Sequence, residues 1–378
     1  MVSHPTNAPA DVTDYGLISR LSHICPEAEH HAGMIRVDES PKPSRITRDM
    51  ASSIGVLDTF PVEVMHLILG EADFQSISRF SLTSLRAYNI VQTLHAYRDL
   101  MEYAPKALVA LSRTRLIQYH SAATLHAALQ SQACISCGEY GAYLFLPTCQ
   151  RCCWWCLDKN RSLQVMPRGA AGICFSLTSR QLDELPTMLS LPGHYFHGHR
   201  DIRHKKRSKL VCVGAAKKRS LSIYGSEEEI ARLPLIKRPR LSERRLYEYG
   251  IYQAASLEPS SQDPLMLPDL RRSMADPCGG MASICFPSLV HNRLETRLWC
   301  LGCDWLSDNH ATRLTSPTIS RLIPDNLNPD DVYRGMRLRA RSRSNFLRHI
   351  KHCFGVRKVA RRVGLGSWAR GLTTRTAI

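Results

Sequence analysis

The sequence lacks any run of the roughly 18–20 apolar residues that a membrane-spanning helix needs. Its first residues lack the basic and then apolar segments of a secretory signal, so we expect a protein of the cytoplasm or the nucleus, without a membrane partner. It also contains no HExxH, P-loop, GxSxG or dinucleotide-binding fingerprint, and its 16 histidines form no recognisable base–nucleophile pair. These absences argue against a membrane transporter and make an enzyme, including a zinc hydrolase, the weakest interpretation.

Acidic residues are missing from one end of the chain. Residues 332–378 contain 13 Lys and Arg and no Asp or Glu, in a protein whose net charge is +17. Such a tail suits an anionic partner such as nucleic acid, and the alternative is a solvated tail that only aids solubility. Further basic clusters at 204–207, 217–219 and 237–240 give a weak indication of nuclear localisation.

Apolar residues make up 44% of the 378 residues, which is enough for at least one buried core. Residues 1–52 are proline-rich and aperiodic, which predicts disorder. Residues 196–275 are expected to form a basic, partly ordered linker, and residues 356–378 a basic tail. We predict a mainly α fold with small zinc-stabilised β-hairpin or ribbon elements.

Three short helices are predicted just after the N-terminal segment. Pro61 suits a first helical turn, because its missing N–H would have no partner there. Met65, Ile68 and Leu69 follow at the spacing of an amphipathic stripe. Asp73 is a candidate N-cap for the second helix, and the third helix extends to about residue 94.

The 14 cysteines need an explanation other than disulfides in a chain without a secretory signal. In the first cysteine-rich window, the CxxC pairs Cys134/Cys137 and Cys153/Cys156 have the spacing of a ribbon-like zinc site. Gly138 can take a positive φ that helps backbone N–H groups point at sulfur. Cys149 and Cys152 form a competing CxxC pair, although we prefer the later one. A cysteine-rich hairpin without metal is the alternative.

A second CxxC turn is formed by Cys300 and Cys303. Far downstream, His349 and Cys353 are four residues apart, so a helix would place them on one face. Three cysteines and one histidine are a common structural zinc set. The 45 residues between the two halves weaken this prediction, and the alternative is a basic helix with an incidental His and Cys. Both sites would be closed by four ligands, which predicts two structural zinc ions.

The stretch from Leu57 to Leu69 resembles the opening of an F-box, and residues 84–94 resemble its continuation. The wider chain resembles a family of fungal F-box proteins, in which a double CxxC segment surrounds a run like the one at 144–149 here. The elements at 286–289, 298–300 and 349–353 also resemble that family's second half. Two features depart from the pattern: Phe60 stands where leucine is usual, and the tryptophan often found near the end of the motif is absent.

The resemblance implies an F-box at 53–100, a helical region with the first zinc site at 101–195, and a second zinc region at 276–355. It implies a non-catalytic receptor that docks on the Skp-type adaptor of a cullin–RING ubiquitin ligase and recruits a protein substrate through its C-terminal region. The residues expected to contact the adaptor are Leu57, Pro61, Val62, Met65, Ile68, Leu69 and Leu85, although some of them must form the core of the helix trio. The alternative is a nuclear zinc-containing protein that binds nucleic acid through its basic tail.

Overall fold

The computed structural model describes residues 13–23, 35–37, 52–197, 200–232, 241–257, 278–313 and 328–372. The fold is mainly helical with small antiparallel sheets, as predicted. The basic cluster at 237–240 and most of the predicted disordered segment at 1–52 lie outside the described residues. Within the described ranges, no helix is both long and apolar enough to cross a membrane.

The helices and strands are short. The helices are α1 (Asp14–Leu21), α2 (Val62–Glu71), α3 (Phe74–Ser81), α4 (Leu85–Thr93), α5 (His95–Tyr103), α6 (Pro105–Arg113), α7 (Ala122–Gln130), α8 (Trp154–Lys159), α9 (Arg168–Cys174), α10 (Ser179–Asp183), α11 (Val213–Tyr224), α12 (Glu227–Arg232), α13 (Glu243–Gln253), α14 (Leu301–Arg313), α15 (Pro329–Leu338), α16 (Arg343–Ile350), α17 (Phe354–Arg362) and α18 (Gly366–Arg370). The strands are β1 (Ser22–His23), β2 (Tyr143–Phe145), β3 (Gln150–Cys152), β4 (Val165–Pro167), β5 (Thr187–Leu189), β6 (Gly193–His197), β7 (Arg200–His204), β8 (Lys209–Cys212), β9 (Ser283–Cys285), β10 (Ser288–Val290), β11 (Arg293–Glu295) and β12 (Trp299–Cys300).

The chain divides into two compact units. The larger unit comprises residues 27–264 and 270–294, and the smaller unit comprises residues 1–26, 265–269 and 295–378. Each unit brings together segments that are far apart in the sequence. Each also contains one of the two cysteine-rich windows, so each can be described around its own cluster.

The three helices predicted near the start of the larger unit are present as α2, α3 and α4. Asp73 caps α3 by accepting a hydrogen bond from Ser76 N at 2.9 Å, and Ser84 caps α4 by accepting one from Ala87 N at 3.1 Å. α2 begins directly after Pro61, as expected for a residue without an N–H. Because each cap satisfies a backbone donor locally, these boundaries could be predicted from sequence.

Small sheets hold the cysteine-rich part of the larger unit. β2 lies between β3 and β9, so that Tyr143 is paired with both Cys152 and Cys285. β8 lies between β4 and β5, and β6 pairs with β7. β10 and β11 are joined by His291 and Asn292, whose φ values of 48° and 58° fit the tight two-residue turn of a hairpin.

The prediction that residues 196–275 form a linker needs correction, because the described parts of this segment are well packed. β8, α11 and α13 contribute Val211, Val213, Tyr249 and Tyr252 to a buried cluster that also contains Phe175. This cluster fills one side of the larger unit. The segment's basic composition had suggested a linker, but its apolar residues are spaced to reach a core assembled from distant parts of the chain.

The smaller unit contains two further corrections. Helix α1 lies in the segment predicted to be disordered, and its Leu17 and Leu21 are buried in the unit's core. Helices α17 and α18 lie in the region predicted to be a basic tail, where Val356 and Ala360 of α17 are fully buried. Both segments are ordered because each provides apolar side chains at helical spacing to the same core.

Candidate functional site

Four cysteines of the larger unit converge on one point. The sulfur atoms of Cys134, Cys137, Cys153 and Cys156 all lie within 4.8 Å of one another. The Sγ atoms of Cys137 and Cys153 are 3.7 Å apart. Four sulfurs about 2.3 Å from a tetrahedral zinc would be separated by about 3.8 Å. The cluster therefore has the dimensions of a tetrahedral metal site, and these are the four residues that the sequence predicted.

Two turns shape this four-cysteine cluster. Gly138 has a φ of 75°, and its N–H donates to the carbonyl of Cys134 at 2.9 Å, closing the first CxxC turn. Cys153 is the N-cap of α8, and its sulfur accepts a hydrogen bond from the backbone N–H of Cys156 at 3.4 Å. A backbone donor directed at sulfur stabilises the negative charge that a metal-binding thiolate carries.

The competing CxxC pair lies outside the four-cysteine cluster, although Cys152 still interacts with Cys134. The sulfur of Cys149 donates to the carbonyl of Leu146 at 3.8 Å, and that of Cys152 donates to the carbonyl of Gln150 at 3.8 Å. Neither belongs to the four-cysteine cluster. Burial raises the pKa of the Cys149 thiol well above its ordinary value, which favours the protonated form. The structure thus separates the two pairs that sequence spacing left ambiguous.

The smaller unit brings together Cys300, Cys303, His349 and Cys353, whose ligand atoms also lie within 4.8 Å of one another. The sulfur of Cys353 is 4.0 Å from that of Cys300 and 3.9 Å from that of Cys303. The sulfur of Cys303 is 3.2 Å from Nε2 of His349. These separations are close to the edges of a tetrahedron built on Zn–S and Zn–N bonds. The set fits a closed Cys3His metal site.

The Cys3His cluster depends on the contact between α14 and α17. Gly302 and Gly355 face each other there, and a Cβ on either would lie less than 3.0 Å from backbone atoms of the other helix. Cys303 lies beside Gly302 on α14, and Cys353 caps the start of α17. A CxxC turn by itself gives Gly302 only a role in a tight bend, and no sequence pattern singles out Gly355. Their actual role is to let two helices approach closely.

The protonation pattern of the Cys3His cluster suits a cation. Hydrogen bonds from Cys300 and Cys353 hold the pKa of the Cys303 thiol well below its ordinary value. Burial lowers the pKa of His349, which favours the neutral imidazole that binds metals. Arg341 directs Nη2 toward the sulfur of Cys303 at 3.8 Å, so its positive charge favours the thiolate form of Cys303.

The four-cysteine cluster shows the same pattern. A hydrogen bond from Cys137 is the largest of several that lower the pKa of the Cys134 thiol, while neighbouring cysteines raise the pKa values of Cys153 and Cys156. The four sulfurs therefore differ in how readily they ionise, and the thiols of Cys153 and Cys156 crowd around that of Cys134. A bound divalent cation would relieve this crowding by allowing the remaining thiols to ionise.

Arg151 is a buried charge that the sequence analysis missed. Its guanidinium donates to the carbonyls of Ala128 at 3.1 Å and Gly141 at 2.6 Å, and also to those of Phe286 and Pro287. Burial lowers its pKa to about 10, which still leaves it charged at neutral pH. Arg151 therefore ties the four-cysteine hairpin to both flanking segments. Its position on β3, between two cysteine ligand pairs, was the only available sequence signal.

The segment from Val56 to Leu82, which contains α2 and α3, carries exposed apolar side chains. Leu67 of α2 is 73% exposed and Leu82, just after α3, is 82% exposed. We use the term exposed apolar face for Val56, Phe60, Val62, Val64, Leu67, Ile68 and Leu82. Val62, Val64, Leu67 and Ile68 lie on α2 itself, Val56 and Phe60 precede it in the sequence, and Leu82 follows α3. Five of them were absent from the predicted adaptor-binding set.

The predicted adaptor-binding residues fall into three groups. Met65 and Leu69 are 2% and 6% exposed, so they belong to the core of the helix trio rather than to a docking face. Leu57 and Leu85 are half-buried. The exposed residues are Pro61, Val62 and Ile68. The i, i+4 spacing of Met65 and Leu69 correctly predicted a helix. It identified the buried side of that helix, however, and not the exposed side.

The basic cluster at 217–219 is engaged within the larger unit. Lys217 is 2% exposed, donates to the carbonyl of Ala255 at 2.6 Å and pairs with Glu227. Arg219 pairs with Glu184. This cluster is therefore not a free phosphate-binding surface, and Lys205–Arg207 are exposed side chains outside it.

Comparisons with known proteins add no relative to these observations. No family model, no curated protein and no solved structure matches the chain.

Proposed function

We propose that this protein is a non-catalytic substrate receptor of a Skp–cullin–RING ubiquitin ligase, docking on the Skp-type adaptor through α2–α4. The single observation that carries the proposal is the exposed apolar face. α2 buries Met65 and Leu69 on one side and exposes Leu67 and Ile68 on the other. A helix that is apolar on all sides is normally buried all round, so its outer side is expected to be covered by a partner.

The exposed apolar face supports a protein partner on energetic grounds. Contiguous exposed apolar patches are uncommon on monomeric proteins, and larger ones mark interaction sites. Covering such a patch removes apolar area from water at about 25 cal/mol per Å². The resemblance of residues 57–69 to an F-box opening identifies the partner as the adaptor. The C-terminal region would then recruit the protein substrate.

We further propose that each cluster holds one structural zinc ion. The ligands would be Cys134, Cys137, Cys153 and Cys156 in the larger unit, and Cys300, Cys303, His349 and Cys353 in the smaller unit. Sulfur-rich tetrahedral sets favour zinc, and four protein ligands leave no open position for catalysis. Bound zinc would hold the CxxC turns in place, which short strands such as β2 and β3 stabilise only weakly by themselves.

Adaptor binding tests the first proposal. In the full chain, Leu67→Asp and Ile68→Asp should each weaken binding to a purified Skp-type adaptor by about 30-fold or more, as central interface residues do. Leu246→Asp is the matched control, since Leu246 is an exposed leucine on α13 of the same unit. Met65→Asp is unsuitable because Met65 is buried and its loss would unfold the helices. Absence of adaptor binding by the wild-type chain would refute the proposal.

Metal analysis tests the second proposal. Purified protein should contain about two zinc ions per chain, as two four-ligand sets require. Cys137→Ser and Cys303→Ser should each remove one zinc, whereas Cys149→Ala should retain both because Cys149 lies outside the cluster. A zinc content near zero in the wild-type protein, or loss of zinc in Cys149→Ala, would contradict the assignments.

A further inference from the structure

The basic residues of the smaller unit divide into two groups, and the first group is used internally. Arg337 pairs with Asp304 at 2.7 Å and with Asp308 at 3.0 Å. Arg341 is buried and directs its guanidinium at the carbonyl of Arg339 and at the sulfur of Cys303. These arginines stabilise the unit and are not available to a ligand.

The second group faces solvent, and its members form no ion pair with any carboxylate of the described ranges. It consists of seven exposed side chains, which we call the basic face: Arg343, Arg348, Lys351, Lys358, Arg361, Arg362 and Arg370. In the part of the chain that the structure describes, none of the seven pairs with a carboxylate. The sequence explains this, because residues 332–378 include no Asp or Glu. Positive charge therefore accumulates on α16, α17 and α18.

Packing determines which side of α17 carries the charge. Val356 and Ala360 are buried in the core that contains the Cys3His ligands. Lys358, Arg361 and Arg362 lie at i, i+3 and i+4 and are exposed. Because α17 starts directly after the ligand Cys353, the metal cluster and the core together hold this row in place. The charge is thus displayed on an ordered helix rather than on a solvated tail.

We propose that the basic face binds nucleic acid through its phosphates. Five of its seven residues are arginines, whose planar guanidinium groups match phosphate oxygens in two-point contacts. This inference goes beyond the adaptor-docking function and concerns the other unit. It does not require the adaptor to bind, so the two proposals can fail separately.

Two other classes of anionic partner fit the basic face less well. A membrane surface would be expected to contact apolar side chains beside the charges, but among residues 343–372 no large apolar side chain is strongly exposed. An acidic protein would be expected to find strongly exposed aromatic or aliphatic anchors at the centre of the interface, whereas Phe354, under Lys358, and Trp368 are half-buried. A nucleic-acid backbone needs only the charge and the hydrogen-bond donors.

The test measures the salt dependence of binding by the full, zinc-loaded chain. Fluorescence anisotropy would use a labelled DNA duplex and a labelled single-stranded RNA of the same length. The triple variant Lys358→Gln, Arg361→Gln, Arg362→Gln should weaken binding at low salt by at least tenfold. The plot of log K against log salt has a negative slope. The magnitude of that slope should decrease by about 2–3, because three phosphate contacts are lost.

A matched control separates a site from general charge. The triple variant Lys205→Gln, Lys206→Gln, Arg207→Gln removes the same three charges from an exposed loop of the larger unit and should leave the slope nearly unchanged. If the first triple variant does not fold, as judged by zinc content and circular dichroism, Arg343→Gln with Arg348→Gln on α16 should decrease the magnitude of the slope by about 1–2.

Three results would overturn the proposal. The first is an equal loss of affinity in the control variant, and the second is no nucleic-acid binding by the wild-type chain. The third is wild-type binding to phosphatidylserine vesicles, or displacement of RNA by polyglutamate at equal charge concentration, since either would show that the face takes a membrane or an acidic protein.

Discussion

Gly302 and Gly355 set the distance between α14 and α17 beside the Cys3His cluster. Gly355→Ala would place a Cβ against the backbone of Gly302, which cannot rotate away. We expect the smaller unit to lose about 1–3 kcal/mol of stability, as overpacked cores do, and to release zinc at a lower chelator concentration. Competition with a chromogenic zinc chelator would measure this release.

The control for this prediction is Gly366→Ala in the same unit. A Cβ at Gly366 meets only the side chain of Arg361, at 4.0 Å. Unchanged zinc retention in Gly355→Ala, or an equal effect in Gly366→Ala, would show that close helix approach does not hold the site together.

Arg151 supplies the second prediction at the scale of single residues. Arg151→Met would leave the carbonyls of Ala128, Gly141 and Pro287 without their donor in a buried place. Each unsatisfied acceptor costs on the order of 1–3 kcal/mol, so the larger unit should lose roughly 3 kcal/mol or more. Urea unfolding of the zinc-loaded protein, followed by intrinsic fluorescence, would report the change.

Arg151→Lys is the comparison that separates charge from geometry. Lysine keeps the positive charge but lacks the planar fork that reaches several carbonyls. It should therefore recover only part of the lost stability. Full recovery by lysine would mean that the charge alone matters.

At the scale of helices and strands, α1 shows what a short segment gains from a distant core. Leu21 is fully buried and Leu17 is 6% exposed, both next to residues that surround the Cys3His ligands. We predict that Leu21→Ala lowers the stability of the smaller unit by about 2–5 kcal/mol, the usual cost of truncating a buried leucine. Tyr15→Ala is the control, because Tyr15 is 75% exposed on the same helix.

Thermal unfolding monitored by circular dichroism would measure both α1 variants at saturating zinc. A melting temperature of Leu21→Ala within about 1 °C of the Tyr15→Ala value would contradict the packing of α1 onto this core, because 1 kcal/mol corresponds to several degrees in a domain of this size.

Sequence patterns predicted best those elements whose signals are local. The predicted N-cap Asp73 begins a helix in the structure, because its hydrogen bond forms within three residues. Ser84 and the capping box of Thr178 and Gln181 are local signals of the same kind.

The elements that were missed depend on distant partners. α1 and α17 are short, polar or basic, and are ordered because their few apolar residues meet a core built from both ends of the chain. A faint signal existed in the i, i+4 spacing of Leu17 and Leu21 and of Val356 and Ala360. Composition outweighed that spacing in the sequence analysis. The same dependence on distant partners explains why the packed parts of residues 196–275 were not predicted from their basic composition.

For the candidate sites, spacing predicted which cysteines and histidine come together better than it predicted which residues of α2 are exposed. A CxxC turn restricts where two sulfurs can lie, so sequence spacing carries geometric information about a metal site. An apolar helix such as α2 carries no such restriction, because Met65 and Ile68 look equally suitable until the packing is known. Only the structure could show that Met65 is buried and that Ile68 is exposed.

At the scale of the whole molecule, the division into two units predicts that adaptor docking and the Cys3His cluster are separable. α2–α4 belong to the larger unit, whereas Cys303 and its partners belong to the smaller one, and each unit has its own core. Cys303→Ser should therefore abolish the second zinc site and leave the affinity for the Skp-type adaptor within about twofold of wild type, well under the tenfold that 1.4 kcal/mol represents.

Isothermal titration calorimetry of the full-length variant with the adaptor would measure this affinity directly. Ile68→Asp provides the opposite control, since it should remove adaptor binding while both zinc ions remain bound. Because the two variants change one property each, a loss of both properties in either variant would mean that the units do not fold independently. The smaller unit would then contribute to docking by supporting the larger one, and the exposed apolar face alone would not account for adaptor binding.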